Sequence, residues 1–353
     1  MEKDREIIKR VMRKLTSNVE LTEEEIRGVI LGIKDEEVSS VQIGGFQVAL
    51  LMKGQTVAEI AAIANAMRDV AIPLKPKVQE ELVDTCGTGG GLPTFNISTA
   101  NAILAAAGGL KVAKHGSRSI SHLSGSADAF EALGVNIELA PKQAEELIER
   151  VGIAFVNAGL FHPVMGKVWG PESELGIKTI FFTIIGPLIN PAQARCHING
   201  VYQPDLVSKI AQVWAKLDHK HILVVHGLDG LDELSLLGES RVAEVKDGRI
   251  NEYTVTPEEL GLERCKIEDI APGDPKYNAE VIRAIFEDKE RGPKRDAVVL
   301  NAAGAFVVGG KVRNLKEGVE YAQKLIDEGK AAKKLDELVE VSQQMKNETF
   351  TSD

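Results

Sequence analysis

Residues 84–91 read Asp-Thr-Cys-Gly-Thr-Gly-Gly-Gly, and Asn96-Ile-Ser-Thr-Ala100 follows shortly after. Glycines at 87, 89, 90 and 91 leave the backbone free to wrap a ligand and turn successive N–H groups toward it. Asn96, Ser98 and Thr99 fall where a helix should begin, so their amide and hydroxyl groups would join the N–H donors of its first turn. A loop and helix start of this kind accepts anions, phosphate above all. The spelling matches neither the dinucleotide fingerprint, because position 92 is Leu, nor the nucleotide P-loop, which ends in Gly-Lys-Ser/Thr. A tight strand-to-helix turn is the other reading of the glycines taken alone.

A second loop strengthens the anion reading. Lys114-His115-Gly116-Ser117-Arg118-Ser119 closes one apolar run, and Ser124-Gly125-Ser126 precedes a helical one. Residues 85–127 contain no Asp or Glu, yet hold Lys111, Lys114, His115, Arg118 and His122. Evenly spread acids would place roughly six in such a window. In a parallel sheet both loops leave the same strand ends, which suits a ligand carrying phosphate at two places. His226-Gly-Leu-Asp-Gly-Leu-Asp-Glu233 then supplies adjacent carboxylates at Asp232 and Glu233. Magnesium takes a few carboxylates with water and substrate phosphates, so a metal-bound pyrophosphate fits here. An exposed acidic loop is the alternative. No nucleophile–base pair is evident. His219-Lys220-His221 reads as a surface turn with no acidic partner near it in sequence, and Trp169 and Trp214 form no stacking ladder for nucleic acid.

These loops need elements to hold them. Ile7, Ile8, Val11, Met12 and Leu15 follow helical spacing, and Thr22 with Glu25 and Thr56 with Glu59 are capping boxes, so residues 3–70 read as consecutive amphipathic helices. The two prolines of AIPLKPK, near residue 73, mark a boundary. Beyond it, LVDTC, LKVAKHG, NIELA, HILVVHG, AEVKDGRINEYTV and DAVVLNAAGAF read as strands. NISTANAILAAAGG, SADAFEALG and PKQAEELIERVG read as helices between them, and the chain is helical again from Asn314. VKDGRI resembles a hairpin turn. The alternation predicts an α/β fold: a small all-helical lobe plus a larger lobe with a central, mainly parallel sheet.

The inventory excludes much else. The 353 residues suit two lobes. With 42 basic and 52 acidic residues the net charge is −10 and the pI about 5.4, against a general nucleic-acid binder. Cys86, Cys196 and Cys265 are too far apart for a metal pair or a disulfide scaffold, which points to a reducing compartment. The charged start MEKDREIIKR is no signal peptide, and no apolar run approaches the roughly 18 residues of a membrane helix. A cytoplasmic location with no membrane partner is expected.

The motifs GTGG (87–90), TFNISTA (94–100), KHGSRS (114–119), SGSADAFEALG (124–134), HP (162–163), GPLINP (186–191) and HGLDGLDE (226–233) resemble, in this order, the anthranilate phosphoribosyltransferase family. The resemblance runs from the LTEEE helix to Glu317-Gly-Val-Glu320. It implies a fold of the nucleoside phosphorylase/phosphoribosyltransferase type, a helical lobe of residues 1–75 with a return segment near 160–190, an α/β lobe of 76–353, and a homodimer formed through the helical part. It implies phosphoribosyl pyrophosphate as donor, Mg2+ as cofactor and anthranilate as acceptor. Gly87, Thr88, Gly89, Gly90, Thr94, Asn96, Ser98, Thr99, Lys114, His115, Gly116 and Ser126 would hold the donor. Ser98, Asp232 and Glu233 would hold the metal. Gly87, Ser117, Phe161, His162 and Glu172 would face the acceptor.

The chain departs from the family pattern at several of these positions. Gly91 stands where the family has Asp, in a loop one residue shorter. Ser117 replaces the Asn of KHGNRS, and Phe161 replaces the first His of His-His-Pro. Thr179-Ile-Phe-Phe-Thr183 lacks the family's Asn. Glu172 replaces an arginine, just ahead of Leu175-Gly176, that would receive the acceptor carboxylate. A carboxylate there would repel an anion where a guanidinium binds it bidentately. Two other enzyme readings therefore remain: a paralogous phosphoribosyltransferase for another aromatic amine or heterocycle, and a nucleoside phosphorylase. A non-catalytic binding module is the third.

Overall fold

The computed structural model describes residues 2–118 and 123–346. Ser119 and His122 of the acid-free window lie outside them. Seven strands form one sheet: β1 (Leu82–Asp84), β2 (Lys111–Gly116), β3 (Ile153–Asn157), β4 (Cys196–Gly200), β5 (His221–Gly227), β6 (Ser240–Lys246) and β7 (Arg249–Val255). Their order is β3-β2-β1-β4-β5-β6-β7. The first five run parallel, and β6 and β7 are antiparallel additions at one edge. The chain order reverses on either side of β1, so the crevice at the carboxyl ends of β1, β2 and β4 is where a ligand would bind.

β5 is buried along its whole length, and its alternation divides the molecule. Leu223 and Val225 point into the core of the α/β lobe. Ile222 and Val224 point the other way, into a second core that contains the N-terminal helices. That core is built by the helices Glu2–Thr16, Glu23–Lys34, Ser40–Lys53 and Val57–Val70, joined by Val164, Val168, Phe181 and Ile185 from the return segment. Both expected capping boxes are present, at Thr22 and Thr56, and a third starts at Ser39.

The β6–β7 hairpin turns through Asp247 and Gly248, both at positive φ, as a two-residue turn requires. Two expected strands are absent. NIELA (136–140) buries Ile137 and Leu139, next to the buried Val135, without joining the sheet. Side chains serve its amides instead: Ser342 Oγ accepts from Asn136 N, and Asn136 Oδ1 from Glu138 N. DAVVLNAAGAF belongs to the helix Pro293–Val308, whose residues 297–308 are all buried. A helix covered on every side has no polar stripe, so its apolar run is indistinguishable from that of a buried strand. His221 also corrects the surface-turn reading, since it opens β5 and is paired with Glu244 of β6 at 2.6 Å.

Two buried polar joints hold the lobes. In the first, the Lys53 Nζ lies 2.7 Å from Glu59, with side chains 4% and 1% exposed. Glu59 also accepts from the Leu21 and Thr56 amides, tying three helices together. In the second, His115 on β2 bonds through Nδ1 to Gly186 O of the return segment, and its Nε2 lies 3.1 Å from His162 Nε2. Because a carbonyl only accepts, the network assigns the His115 proton to Nδ1, leaving His162 to donate from Nε2. Burial lowers both imidazoles, with His162 at about 4.

Lys53→Met leaves Glu59 as a lone buried charge and should cost about 3 kcal/mol in urea unfolding, most of it recovered by adding Glu59→Gln. The histidine pair makes stability pH-dependent. Both rings are neutral in the folded protein, whereas the unfolded chain takes up protons below about pH 6.5. The His162 contribution is thus complete above that pH and lost as it falls toward 4, a change of roughly 3 kcal/mol. Urea midpoints measured from pH 7 to 4 should show the decline, and His162→Gln should flatten it.

Candidate functional site

A cleft of about 770 Å³ opens between the lobes at the carboxyl ends of the strands. Its floor is the loop leaving β1. Gly89 and Gly90 have φ of +64° and +88°, a region that side chains with a Cβ avoid, and Gly90 lies against the Tyr202 ring. Thr85 Oγ1 donates to Ser98 O, joining the strand exit to the helix Ile97–Ala107. No side chain caps the first turn of that helix, so its N-terminus faces the cleft open to an anion. Asn96 is instead held by Ser124 Oγ and Asn278 Nδ2, which both donate to its Oδ1.

The loop after β2 forms a second side. A Cβ on Gly116 would stand 2.1 Å from Ser126 Oγ and 3.1 Å from the Phe155 ring, so a larger residue there would displace the Ser126 hydroxyl. Lys114 is buried, with its Nζ donating to His115 O. Arg118 is paired with Asp128 and Glu131 at 3.0 and 2.8 Å. Acids just beyond the window in sequence thus neutralise the cation that the window seemed to leave free.

The acid pair after β5 reaches the glycine loop from below. A Cβ on Gly87 would lie 3.5 Å from Asp232 Oδ2, and one on Gly91 only 2.7 Å from Asp232 Oδ1 and N. Burial and the adjacent Asp232 push the Glu233 carboxyl well above its usual range, opposed by Lys114. Two carboxylates pressed together at the mouth of a phosphate cradle are a donor set for a hard cation, so Mg2+ fits these residues. Asp84, Cys86 and His115 also cluster. Asp84, however, accepts from Thr85 N, His115 N and Asn190 Nδ2, and burial pushes the Cys86 thiol up to about 12. Neither a metal site nor a nucleophile results.

Gly87, Thr88, Gly89, Gly90, Asn96, Ser98, Lys114, Gly116 and Ser126 line the cleft, together with Ser117, Glu172, Asp232 and Glu233. Thr94, Thr99, His115, Phe161 and His162 do not. Thr99 is fully buried, Phe161 is core, and the two histidines occupy the joint behind the wall. Glu172 does not offer its charge to the cleft. It is 2% exposed, and its carboxylate accepts from Thr179 N, Thr179 Oγ1 and Gln47 Nε2. Burial raises its pKa. Sequence reasoning missed the wall opposite the glycine loop, where Trp169 and Phe182 meet edge to face at 5.1 Å, alongside Leu51, Lys178 and Lys209. Widely separated residues of ordinary type carry no local signal.

No helix among the described residues is long and apolar enough to cross a membrane. Residues 5–71 match the glycosyl transferase family, helical bundle domain, and 79–332 match the glycosyl transferase family, a/b domain. The anthranilate phosphoribosyltransferase of Acetivibrio thermocellus is 46% identical over 335 residues, covering 95% of this chain and 96% of its own. The crystal structure of the enzyme of that name from Thermus thermophilus superposes with a TM-score of 0.88 at 42% identity, over 94% of this chain and 99% of the other. The Saccharomyces cerevisiae enzyme, solved with PRPP and Mg, superposes at 0.86 with 27% identity over 96% and 98%. It has also been solved with 4-fluoroanthranilate. By these matches along nearly its whole length, the chain belongs to the anthranilate phosphoribosyltransferase family.

Proposed function

We infer that the protein transfers the 5-phosphoribosyl group of phosphoribosyl pyrophosphate to the amine of anthranilate, releasing pyrophosphate in tryptophan biosynthesis. The observation that carries this is the Asp232–Glu233 segment packed beneath a glycine loop and an open helix N-terminus. In the reaction a bond forms between the anthranilate nitrogen and the ribose anomeric carbon as the bond from that carbon to pyrophosphate oxygen breaks, and the nitrogen loses a proton. No protein nucleophile is needed, in keeping with a raised Cys86 and with histidines locked in a structural joint.

The chain's part is to bind and orient. Gly87, Thr88, Gly89 and Gly90 offer backbone donors to the pyrophosphate, and Asn96, Ser98, Lys114, Gly116 and Ser126 surround the donor on the other side. Thr99 and His115, both buried, lie behind these loops, and Thr94 sits in the segment leading to the helix. Ser98, Asp232 and Glu233 are the residues that would hold Mg2+, which when bound balances the charge developing on the departing pyrophosphate. Gly87 and Ser117 stand on the acceptor side, where Phe161, His162 and Glu172 brace the wall. Residues 1–75 with the 160–190 segment act as the small lobe and 76–353 as the donor lobe.

The protein acts in the cytoplasm as a homodimer. An apolar groove on the helical lobe supports the dimer. It has Val41 and Met52 standing out at 86% and 80% exposure beside a floor at Gly44 and Gly45. Ridge and hollow on one face suit a second copy related by a two-fold axis. Light scattering should give twice the 38.2 kDa chain mass, and Met52→Lys should yield monomer.

Anthranilate fluorescence should fall when enzyme, Mg2+ and phosphoribosyl pyrophosphate are mixed, and no decline with the wild type would overturn the assignment. Asp232→Asn with Glu233→Gln should lower kcat/KM at least a hundredfold, about 2.7 kcal/mol of transition-state stabilisation, and raise the Mg2+ concentration needed for half-maximal rate.

A further inference from the structure

The charged groups of the cleft differ in what they have left to offer. Near the glycine loop, Lys114 gives one of its three N–H donors to His115 O and faces Glu233, and Arg118 is paired with Asp128 and Glu131. On the opposite wall Glu172 is saturated by Thr179 and Gln47. Lys178 and Lys209 line the same cleft and make no hydrogen bond or ion pair among the described residues. Lys178 lies between the helix Pro163–Leu175 and the short turn Ile180–Phe182, and Lys209 is carried by the helix Pro204–Trp214. Burial and the neighbouring Lys53 lower the Lys209 pKa, partly offset by Glu59, as expected of an ammonium taken out of water.

The apolar part of this wall has a matching shape. Trp169, 37% exposed, and Phe182 present an aromatic corner to the cleft. An aromatic surface in a cleft that also holds two ammonium groups without hydrogen bonds among the described residues is complementary to a flat ring bearing a carboxylate. The Glu172 carboxylate, beside Lys178, is turned to Thr179 and Gln47 rather than to the cleft.

We propose that Lys178 and Lys209 receive the carboxylate of the aromatic acceptor while Trp169 and Phe182 take its ring, forming the acceptor-specificity subsite. This rests on the reading that the cleft transfers phosphoribosyl to anthranilate. An ammonium binds as a point charge, without the paired hydrogen bonds of a guanidinium. Discrimination for the acid is therefore set by charge and by the ring wall.

The test is steady-state kinetics of Lys178→Met, Lys209→Met and the double variant with anthranilate and with its neutral amide, anthranilamide. The double variant should raise the anthranilate KM at least tenfold and leave the phosphoribosyl pyrophosphate KM within twofold. Its preference for anthranilate over anthranilamide should shrink by a similar factor. Arginine at both positions should restore the preference, a recovery that a merely structural role would not give. An active wild type whose double variant keeps both its anthranilate KM and its preference overturns this subsite alone. A wild type that binds the donor but consumes no anthranilate overturns the underlying reading as well.

Discussion

Gly200 leaves so little room for the Asp232 segment that a Cβ there would stand 1.7 Å from the Asp232 carbonyl oxygen. Gly87 and Gly91 meet the same segment from the other side, and Gly200 O accepts from Thr88 N. The carboxylates are thus threaded beneath the phosphate loop by backbone packed on backbone. The placement of the acid pair depends on that approach. Moved outward by a side chain's width, the acid pair would be a solvated loop. Pressed inward, it meets the glycine loop as a pair of carboxylates suited to a divalent cation.

The frame that permits this approach is itself held by buried polar groups. Asp84 closes β1 and accepts from the backbone on either side, and Asn190 bridges it to Ala113 O of β2. Asn190 belongs to the return segment, as does Gly186, whose carbonyl receives His115. The segment that packs on the N-terminal helices is therefore hydrogen-bonded to the strands that launch both anion loops. Burying such groups is costly unless each is satisfied. Satisfied, they specify one relative placement of the lobes, and with it the width of the cleft.

Much of the donor side could be read from the chain directly. The capping boxes at Thr22 and Thr56 are formed, and the glycine loop and the Asp232–Glu233 pair come together in one cleft. The misreadings had physical causes. Pro293–Val308 is buried on all faces, which removes the periodicity that distinguishes helix from strand. NIELA alternates correctly but satisfies its amides through Ser342 and Asn136. The acid-free window was acid-free only along the chain, since Asp128 and Glu131 fold back onto Arg118. Glu172 read as a repulsive charge facing the acceptor because its partners, Gln47 and Thr179, come from two different segments.

The sequence by itself determined how this protein can hold phosphate. Backbone N–H groups, a helix start and adjacent carboxylates are local features, written in short contiguous stretches. Tertiary structure alone decided what lies across from them. An aromatic acid must be enclosed on several sides, and no single stretch of chain can enclose it. Leu51, Trp169, Lys178, Phe182 and Lys209 become one wall only when the helical lobe and the return segment pack against the sheet. Whether a charge in that wall is left without a hydrogen bond among the described residues, as at Lys178, or is spent on its neighbours, as at Glu172, depends on packing that residue type does not record.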